Sequence, residues 1–233
     1  MAIPGPEARR EELVKLYHQV RTCSACGLHE TRTQVVFGNG NADADLMFVG
    51  EAPGAEEDRQ GLPFVGRAGK LLDELLGEIG LDRKEDVFVA NVLKSRPPGN
   101  RDPQPKEIAA CSPYLMQQIE LIRPRVICTL GNFATKLLSG SPQGITKVHG
   151  RPLDCEFGGV PVRLYPLFHP AAALRTPSVK ELLREDFHRI PELIVAARPE
   201  VAVPEEPAGP EPAPSSEPEA AAEPDPRQMD LLG

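Results

Sequence analysis

Two neighbouring segments combine residues that can do chemistry with residues that fix the backbone. Gly50-Glu51-Ala52-Pro53-Gly54 surrounds one carboxylate with two glycines and a proline, and the backbone amides of such a tight turn can point at a ligand. Gly61–Gly69 holds one aromatic side chain, Phe64, between glycines, where its ring can lie flat against a planar ligand. The spacing matches neither a phosphate-binding P-loop nor a dinucleotide fingerprint. We predict an active site on the segment 46–69; an ordinary strand-ending turn and a phenylalanine of the core are the alternatives.

Polar residues also follow three other apolar runs. Asn91 ends one run and leads into the basic stretch 94–101, while Gly131-Asn132 and His169-Pro170 follow the other two. Each run is short and bounded by turn residues, which is typical of a buried strand. Ligands of parallel sheets bind at the carboxyl ends of the strands. We therefore expect these residues to converge with Glu51 on one cleft.

The elements that must position this cleft alternate along the chain. Apolar spacing predicts four buried strands, separated by helices that have one apolar face. This alternation indicates an α/β fold with three layers, in which helices cover both faces of a central, mostly parallel sheet. The predicted strands are 46–49, 87–91, 126–130 and 162–168, and the predicted helices are 8–21, 68–79, 105–122, a short one from 132, and 178–197.

The composition changes sharply near residue 199. The segment 199–233 contains nine acidic residues, nine of the 26 prolines, no aromatic residue and one basic residue, so it cannot bury enough apolar surface to offset its ordering entropy. We expect a folded unit over 1–198, a disordered acidic, proline-rich linker over 199–227, and a short apolar peptide over 228–233. The folded unit has 25 basic and 25 acidic residues, so any nucleic-acid contact must come from local clusters of Lys and Arg.

The N-terminus and the cysteines favour a cytoplasmic protein. Five charged residues, Glu7, Arg9, Arg10, Glu11 and Glu12, lie where a signal peptide requires an apolar stretch. No run is long enough for a membrane span. In a reducing compartment, cysteines are more often buried or metal-bound than disulfide-bonded. The pair Cys23 and Cys26, with the distant Cys111, suits zinc or an iron-sulfur cluster, and the spacing does not separate the two.

Five sequence blocks, which follow one another along the chain, together resemble the family 4 uracil-DNA glycosylases. These form the iron-sulfur-containing branch of their superfamily. The similarity extends from about Leu13 to about Ile190, over nearly the whole folded unit. It implies a uracil-DNA glycosylase-like fold and hydrolysis of the N-glycosidic bond of flipped-out deoxyuridine, the first step of base-excision repair. The blocks are Gly-Glu-Ala-Pro-Gly at 50–54, Gly-x-Pro-Phe-Val-Gly at 61–66, Asn91, Arg-Pro-Pro-x-Asn-Arg at 96–101 and Phe168-His169-Pro170.

The resemblance implies a role for each residue of the cleft. Phe64 stacks on the uracil ring, and the amide of Asn91 matches uracil O4 and N3–H, whereas cytosine presents the reverse pattern. Glu51 positions water or stabilises the sugar cation, a task that the nearby Glu57 can share. Donors to the departing base come from the backbone of Glu51 and Ala52 and from His169. The expected substrate-binding set is Gly50, Glu51, Ala52, Glu57, Phe64, Asn91 and His169, with Glu51 and His169 catalytic.

The same resemblance predicts the DNA contacts. The stretch after His169 is similar to a loop that enters the minor groove as the base leaves, which makes Leu174 the wedge and Arg175 a phosphate contact. Arg96 and Arg101 are also expected on the DNA backbone. Further candidates, for which ordinary solvation is the alternative, are Lys94, His149 and Arg151.

The cofactor implied by the family is a [4Fe-4S] cluster with a structural role. Cys23, Cys26 and Cys111 match three of the family's ligands, but Ser95 occupies the position of the fourth cysteine. Three explanations remain open: Ser95 binds through oxygen, Cys128 or Cys155 substitutes, or the site has only three cysteines or no cluster. Cys128 lies within an apolar run and reads as a small buried side chain.

Two other functions remain as alternatives, together with one further partner. A protein of this fold can act as a non-catalytic DNA-binding or polymerase-accessory protein, and one relative traps uracil-DNA covalently through a histidine in a basic insertion after the Asn91 strand. The stretch 94–101 has no such insertion. The sequence Gln228–Leu232 resembles the peptide by which bacterial repair proteins dock on the DNA sliding clamp. We otherwise expect a monomer.

Overall fold

The computed structural model describes residues 5–197, in which six strands form one sheet. Four central strands run parallel in the order β3-β2-β4-β6, and the two edge strands, β1 and β5, pair antiparallel with β3 and β6. The strands are β1 (Asn39–Gly40), β2 (Leu46–Gly50), β3 (Val87–Asn91), β4 (Val126–Leu130), β5 (Leu153–Phe157) and β6 (Val160–Leu167).

Helices cover both faces of this sheet, since side chains alternate between the two faces of each strand. On β2, Met47 and Val49 belong to one apolar core, and Leu46 and Phe48 belong to the other. The first core includes α1 (Pro6–Arg21), α4 (Pro105–Ile122) and α5 (Asn132–Ser139). The second includes α3 (Arg67–Glu78), α6 (Ile145–Val148), α7 (Pro170–Ala173), α8 (Pro177–His188) and α9 (Ile190–Ala196). The remaining helix, α2, spans Ala55–Gln60.

This architecture confirms the predicted three-layer α/β fold. Each predicted strand is present within two residues of its expected bounds. The register pairs Gly50 of β2 with Asn91 of β3, and the amide of Gly131 after β4 donates to the carbonyl of Leu167 in β6 at 2.9 Å. The carboxyl ends of the four parallel strands therefore lie side by side at one edge of the sheet.

Two parts of the prediction were wrong in detail. The last helix, expected to be continuous over 178–197, divides at Arg189 into α8 and α9. Pro191 lies in the first turn of α9, where its missing N–H cannot continue the preceding helix. The sheet also has two edge strands that were not predicted, β1 and β5. The turn from β5 into β6 is formed by Gly158 and Gly159, and both glycines have positive φ.

None of the helices within residues 5–197 is long and apolar enough to cross a membrane. The expected linker over 199–227 and the peptide over 228–233 lie outside the described residues.

Candidate active site

A cavity of about 340 Å³ opens at the carboxyl edge of the sheet. Loops after β2, β3 and β6 and the first turns of α3 and α7 form its wall. The cavity brings together eight of the predicted residues: Glu51, Ala52, Glu57, Phe64, Asn91, Arg101, His169 and Arg175. The other lining residues are Pro53, Gly54, Ala68, Pro97, Asn100 and Ala171. Four of them belong to the sequence blocks at 50–54 and 96–101, but none was given a role of its own.

Phe64 forms one wall in a strained conformation. It is buried and its backbone has φ +50°, a region that non-glycine residues enter at a cost on the order of 1–3 kcal/mol. Its ring stacks on that of His169, with centroids 5.7 Å apart and planes at 29°. The two rings therefore form a flat, aromatic side of the cavity.

The loop around Phe64 is held from both ends by charged side chains. Glu57 accepts hydrogen bonds from the amides of Val65 and Gly66 at 3.0 and 2.9 Å, while Arg83 donates to the carbonyl of Phe64 at 2.8 Å. These bonds offset the strain at Phe64. Glu57 thus lines the cavity and also organises the aromatic wall.

Two glycines let the wall approach its neighbours. A β-carbon at Gly69 would collide with the carbonyl of Phe64, and one at Gly50 would collide with Asn91 Oδ1 and lie 2.6 Å from Phe64 Cζ. Gly50, which was expected to bind the substrate, is not among the residues that line the cavity. It lies behind the site, and its missing side chain lets Asn91 and Phe64 share one cavity.

Asn91 presents an unpartnered polar atom. Its side chain is 2% exposed at the end of β3, and Oδ1 is buried with no hydrogen-bond partner among residues 5–197. Leaving a buried acceptor unpaired costs about 1–3 kcal/mol. Because the amide faces the cavity, a ligand that donates to Oδ1 would recover that free energy.

His169 is a neutral hydrogen-bond donor. Burial, reinforced by the positive charge of Arg175, lowers the pKa of His169 to about 4. The amide of Ala171 donates to Nδ1 at 3.0 Å, so the single proton of the neutral ring lies on Nε2. The ring can then donate from Nε2 to a developing anion without itself changing charge.

Glu51 titrates near neutral pH. Burial, together with the negative charge of Asp102, raises the pKa of Glu51 to about 7. A carboxyl with such a pKa is suited to accept a proton at physiological pH. Asp102, which contributes to this shift, was not singled out from the sequence.

The predicted DNA contacts surround the cavity to different extents. Arg101 and Arg175 line it, and Arg101 is oriented by two bonds to the buried carboxylate of Glu107, at 2.9 and 2.6 Å. Arg96 lies outside the lining, where its Nε donates to Asn100 Oδ1 at 2.7 Å. Leu174 is 38% exposed just after α7, a position from which an apolar side chain can leave the surface.

Lys94 was wrongly expected to contact the DNA backbone. Its side chain is 2% exposed, and Nζ donates to the carbonyl of Asn91 at 2.8 Å and to Gln118 Oε1 at 2.6 Å. Burial lowers the pKa of Lys94 to about 7. The apolar surroundings of β3 and α4 enclose this lysine, which basic composition by itself could not reveal.

The four predicted cluster ligands line a second, small cavity behind Asn91. Cys23, Cys26, Cys111 and Ser95 meet there beside Arg32 and Lys94. Ser95 accepts a hydrogen bond from Arg32 Nη1 at 3.4 Å. Cys128 belongs to the apolar core on the opposite face of the sheet from Cys111, and Cys155 lies in the edge strand β5. Neither substitutes for the missing cysteine.

Three cysteines and a serine meet at this cavity, and cysteine thiolates are the usual ligands of iron-sulfur clusters. Within residues 5–197, no three His, Cys, Asp or Glu side chains form a group that could hold a single metal ion. The three thiols also surround Tyr114. A hydrogen bond to Cys23, burial and the charges of Cys23, Cys111 and Cys26 raise the pKa of Tyr114 to about 12.

The raised pKa of Glu51 predicts a pH-dependent stability change in the variant Glu51→Gln. The folded protein keeps the Glu51 proton up to about pH 7, whereas the unfolded chain releases it near 4.5. The wild type therefore loses stability as the pH rises between these values. Urea unfolding should give the wild type and the variant the same free energy of unfolding at pH 4. At pH 8 the variant should be more stable by on the order of 1 kcal/mol after solvent screening. Equal stabilities at pH 8 would contradict the assignment.

Comparisons with known proteins agree with this geometry. A family model described as "Uracil DNA glycosylase superfamily" matches residues 37–189. The chain is 49% identical over 189 residues to a type-4 uracil-DNA glycosylase of Thermotoga maritima, a match that covers 79% of this chain and 96% of the relative.

Two archaeal relatives are similar to the same extent. The chain is 45% identical over 193 residues to a type-4 uracil-DNA glycosylase of Archaeoglobus fulgidus, covering 81% of this chain and 96% of the relative. It is 48% identical over 181 residues to one of Saccharolobus solfataricus, covering 76% and 83%. The chain therefore belongs to the uracil-DNA glycosylase superfamily and, within it, to the type-4 family.

Proposed function

We propose that this protein is a uracil-DNA glycosylase, which hydrolyses the N-glycosidic bond of deoxyuridine flipped out of DNA and so begins base-excision repair. The observation that carries the proposal is the buried, unpartnered Oδ1 of Asn91 beside the stacked rings of Phe64 and His169. Such a cavity accepts a flat, apolar ring that has a hydrogen-bond donor on its edge. A pyrimidine base separated from the DNA stack has this shape.

Asn91 selects the base. Its donor and acceptor match those of uracil: Oδ1 accepts the N3–H of uracil, and Nδ2 donates to O4. Cytosine presents an acceptor at N3 and a donor at C4, so both groups of Asn91 would lose their partners. Each loss costs about 1–3 kcal/mol, enough for strong discrimination.

Bond cleavage needs opposite charges at the two ends of the breaking bond. The electron pair of the C1′–N1 bond moves to uracil, which leaves as an anion, and the sugar becomes an oxocarbenium ion. His169 donates from Nε2 to the departing base, aided by the backbone of Glu51 and Ala52. Glu51 positions water for attack at C1′ and accepts its proton. Arg101 and Arg175 bind phosphates beside the flipped nucleotide, and Leu174 fills the space that the base has left.

Replacing Glu51 tests this mechanism. In Glu51→Gln, kcat on a duplex with one uracil should fall by roughly 10²–10⁴ while KM changes little, since a general base acts in the transition state. For the wild type, kcat/KM should rise as the pH passes about 7, the pKa of Glu51. The variant should lack this rise. The measurement is strand scission by alkali after incubation with the enzyme.

Glu56→Gln is the matched control, because Glu56 is an exposed acid of the neighbouring helix α2 that pairs with Arg59 at 2.6 Å. Its kinetics should equal those of the wild type. Binding of the uracil duplex without scission would favour the DNA-binding, polymerase-accessory alternative. A stable protein-DNA adduct would favour the covalent-trapping relative. Either result would refute the glycosylase proposal.

We also propose a [4Fe-4S] cluster held by Cys23, Cys26 and Cys111, with Ser95 as the fourth ligand. The four side chains line one cavity and join the end of α1, the loop after β3 and α4. A cluster there supplies cross-links between these three elements rather than a step of the reaction. The sulfur donors and the serine hydroxyl are suitable iron ligands.

Metal analysis of anaerobically purified protein tests the cluster. We expect about four iron and four acid-labile sulfide per chain, lost in Cys111→Ala and retained in Cys155→Ala, a control outside the cavity. Ser95→Cys should slow the loss of iron in air, because thiolate binds iron more tightly than a hydroxyl does. Absence of iron with zinc present would refute the cluster.

The C-terminal peptide extends the proposal to a partner. Gln228–Leu232 lies outside the described residues, but its two leucines suit an apolar pocket of the sliding clamp. If 199–227 is the linker that its composition predicts, it would span on the order of 30 Å as a random coil and would raise the local concentration of enzyme at the clamp. We expect the protein to act as a monomer in the cytoplasm.

Deleting residues 228–233 should abolish retention by an immobilised clamp while leaving turnover on free oligonucleotides intact, because the peptide lies outside the folded unit. Unchanged retention would refute docking through this peptide.

A further inference from the structure

We infer that a third cavity binds a backbone phosphate of the DNA strand at a distance from the flipped nucleotide. Its lining residues are Thr146, Lys147, His149, Gly150, Arg151, Pro152, Asp186 and Arg189. This basic cavity has a volume of about 530 Å³ and is open to solvent at one side. The inference rests on the proposed function, because it assigns the cavity to the same DNA. It concerns a contact beyond Arg101 and Arg175, which line the active site.

The basic cavity lies at the same edge of the sheet as the active site. The amide of Ile145, just before it, donates to Asn132 Oδ1 in the loop after β4 at 2.8 Å. The amide of Gly150 donates to the carbonyl of Pro166, near the carboxyl end of β6, at 2.9 Å. Both anchors are therefore at the carboxyl ends of parallel strands, where Gly50 and Asn91 also lie.

One ring contact links the basic cavity to the residue that precedes His169. The ring of His149 packs on Phe168 with centroids 4.4 Å apart, and Phe168 immediately precedes His169 of the active site. A DNA strand that places a base against Phe64 and His169 crosses this edge of the sheet. Its neighbouring phosphates would then pass over the basic cavity.

Two cations in the basic cavity have no side-chain partner in the described part of the chain. Lys147 and Arg151 are exposed, and neither makes an ion pair or a side-chain hydrogen bond within residues 5–197. Other surface arginines of the described chain do pair, such as Arg163 with Asp154 at 2.6 Å and Arg184 with Glu78 at 2.9 Å. The charges of Lys147 and Arg151 thus remain available for an anion.

The other charged groups of the basic cavity are already engaged. Asp186 Oδ2 lies 2.8 Å from His149 Nδ1, and burial raises the pKa of Asp186, which weakens its competition for the cations. Arg189 Nη1 donates to the carbonyl of Gly150 at 2.7 Å. Gly150 has φ +68°, and a β-carbon there would collide with Asp186 Oδ1, so the backbone closes tightly over this carboxylate. The free charge of the cavity is positive.

The folded unit as a whole gives no electrostatic attraction for DNA, since its acidic and basic residues are equal in number. Affinity must then come from local cations at the edge that faces DNA. The anions that a DNA strand presents at regular intervals are its backbone phosphates. A contact to phosphate positions the strand and carries no sequence information.

Salt dependence measures such a contact. Each neutralised phosphate adds about 0.9 to the slope of log affinity against log salt for duplex DNA. The variants are Lys147→Gln, Arg151→Gln and the double variant, and the control is Lys84→Gln. Lys84 is an exposed lysine just before β3, at the opposite edge of the sheet. The probes are a duplex with one uracil and the same duplex with thymine in its place.

We expect the double variant to have a slope lower by about 1 to 2 on both duplexes, while the slope of Lys84→Gln equals that of the wild type. Neutral methylphosphonates introduced one at a time then locate the contact. One position should weaken binding of the wild type and of Lys84→Gln but not of the double variant. Melting temperatures of all variants should match the wild type.

Equal slopes for the double variant and Lys84→Gln would overturn the inference, as would the absence of any methylphosphonate position that distinguishes them. The thymine duplex separates this result from the proposed function. If the wild type removes no uracil but the slope on thymine DNA still falls in the double variant, the glycosylase proposal fails and the phosphate contact stands. If uracil is removed and the slopes are equal, only the contact fails.

Discussion

The parallel pairing of β2 with β3 is the constraint on which the active site depends. It sets Gly50 opposite Asn91, and the missing side chain of Gly50 leaves the space that Asn91 Oδ1 and the Phe64 ring occupy. Any larger residue at this position would separate the amide from the aromatic wall. Glu57 and Arg83 hold the strained Phe64 loop in this position through bonds to its backbone.

Burial tunes two titratable groups of the site in opposite directions. It raises the pKa of Glu51 and lowers that of His169, because a low-dielectric environment disfavours the charged form of each. One result is a carboxyl that exchanges its proton near neutrality. The other is an imidazole that stays neutral and donates. Near neutral pH the buried Glu51 and the unpaired Asn91 lower the stability of the folded state, whereas the lowered pKa of His169 does so only below about pH 6.5. The cost is concentrated where a ligand can recover it.

Lys94 lies between the active site and the cysteine cavity. It holds the backbone of Asn91 with the same Nζ that bonds Gln118 of α4, and it also lines the cavity of Cys111 and Ser95. The two sites thus share one wall. From the sequence, Lys94 was a candidate for a DNA-backbone contact, with an ordinary solvated lysine as the alternative. Only the packing of α4 against the sheet shows that the side chain points inward.

The sequence by itself determined the α/β class, the strands that carry the site and most of the residues in the cavity, because short apolar runs, turn residues and ordered motifs are local signals. The edge strand β5 was missed even though Gly158-Gly159 is a hairpin signal. Tertiary structure decided what depends on distant segments. The bond of Lys94 to Gln118, the bonds of Arg83 to the Phe64 loop and the burial that raises the pKa of Glu51 all depend on residues that lie far apart in the sequence.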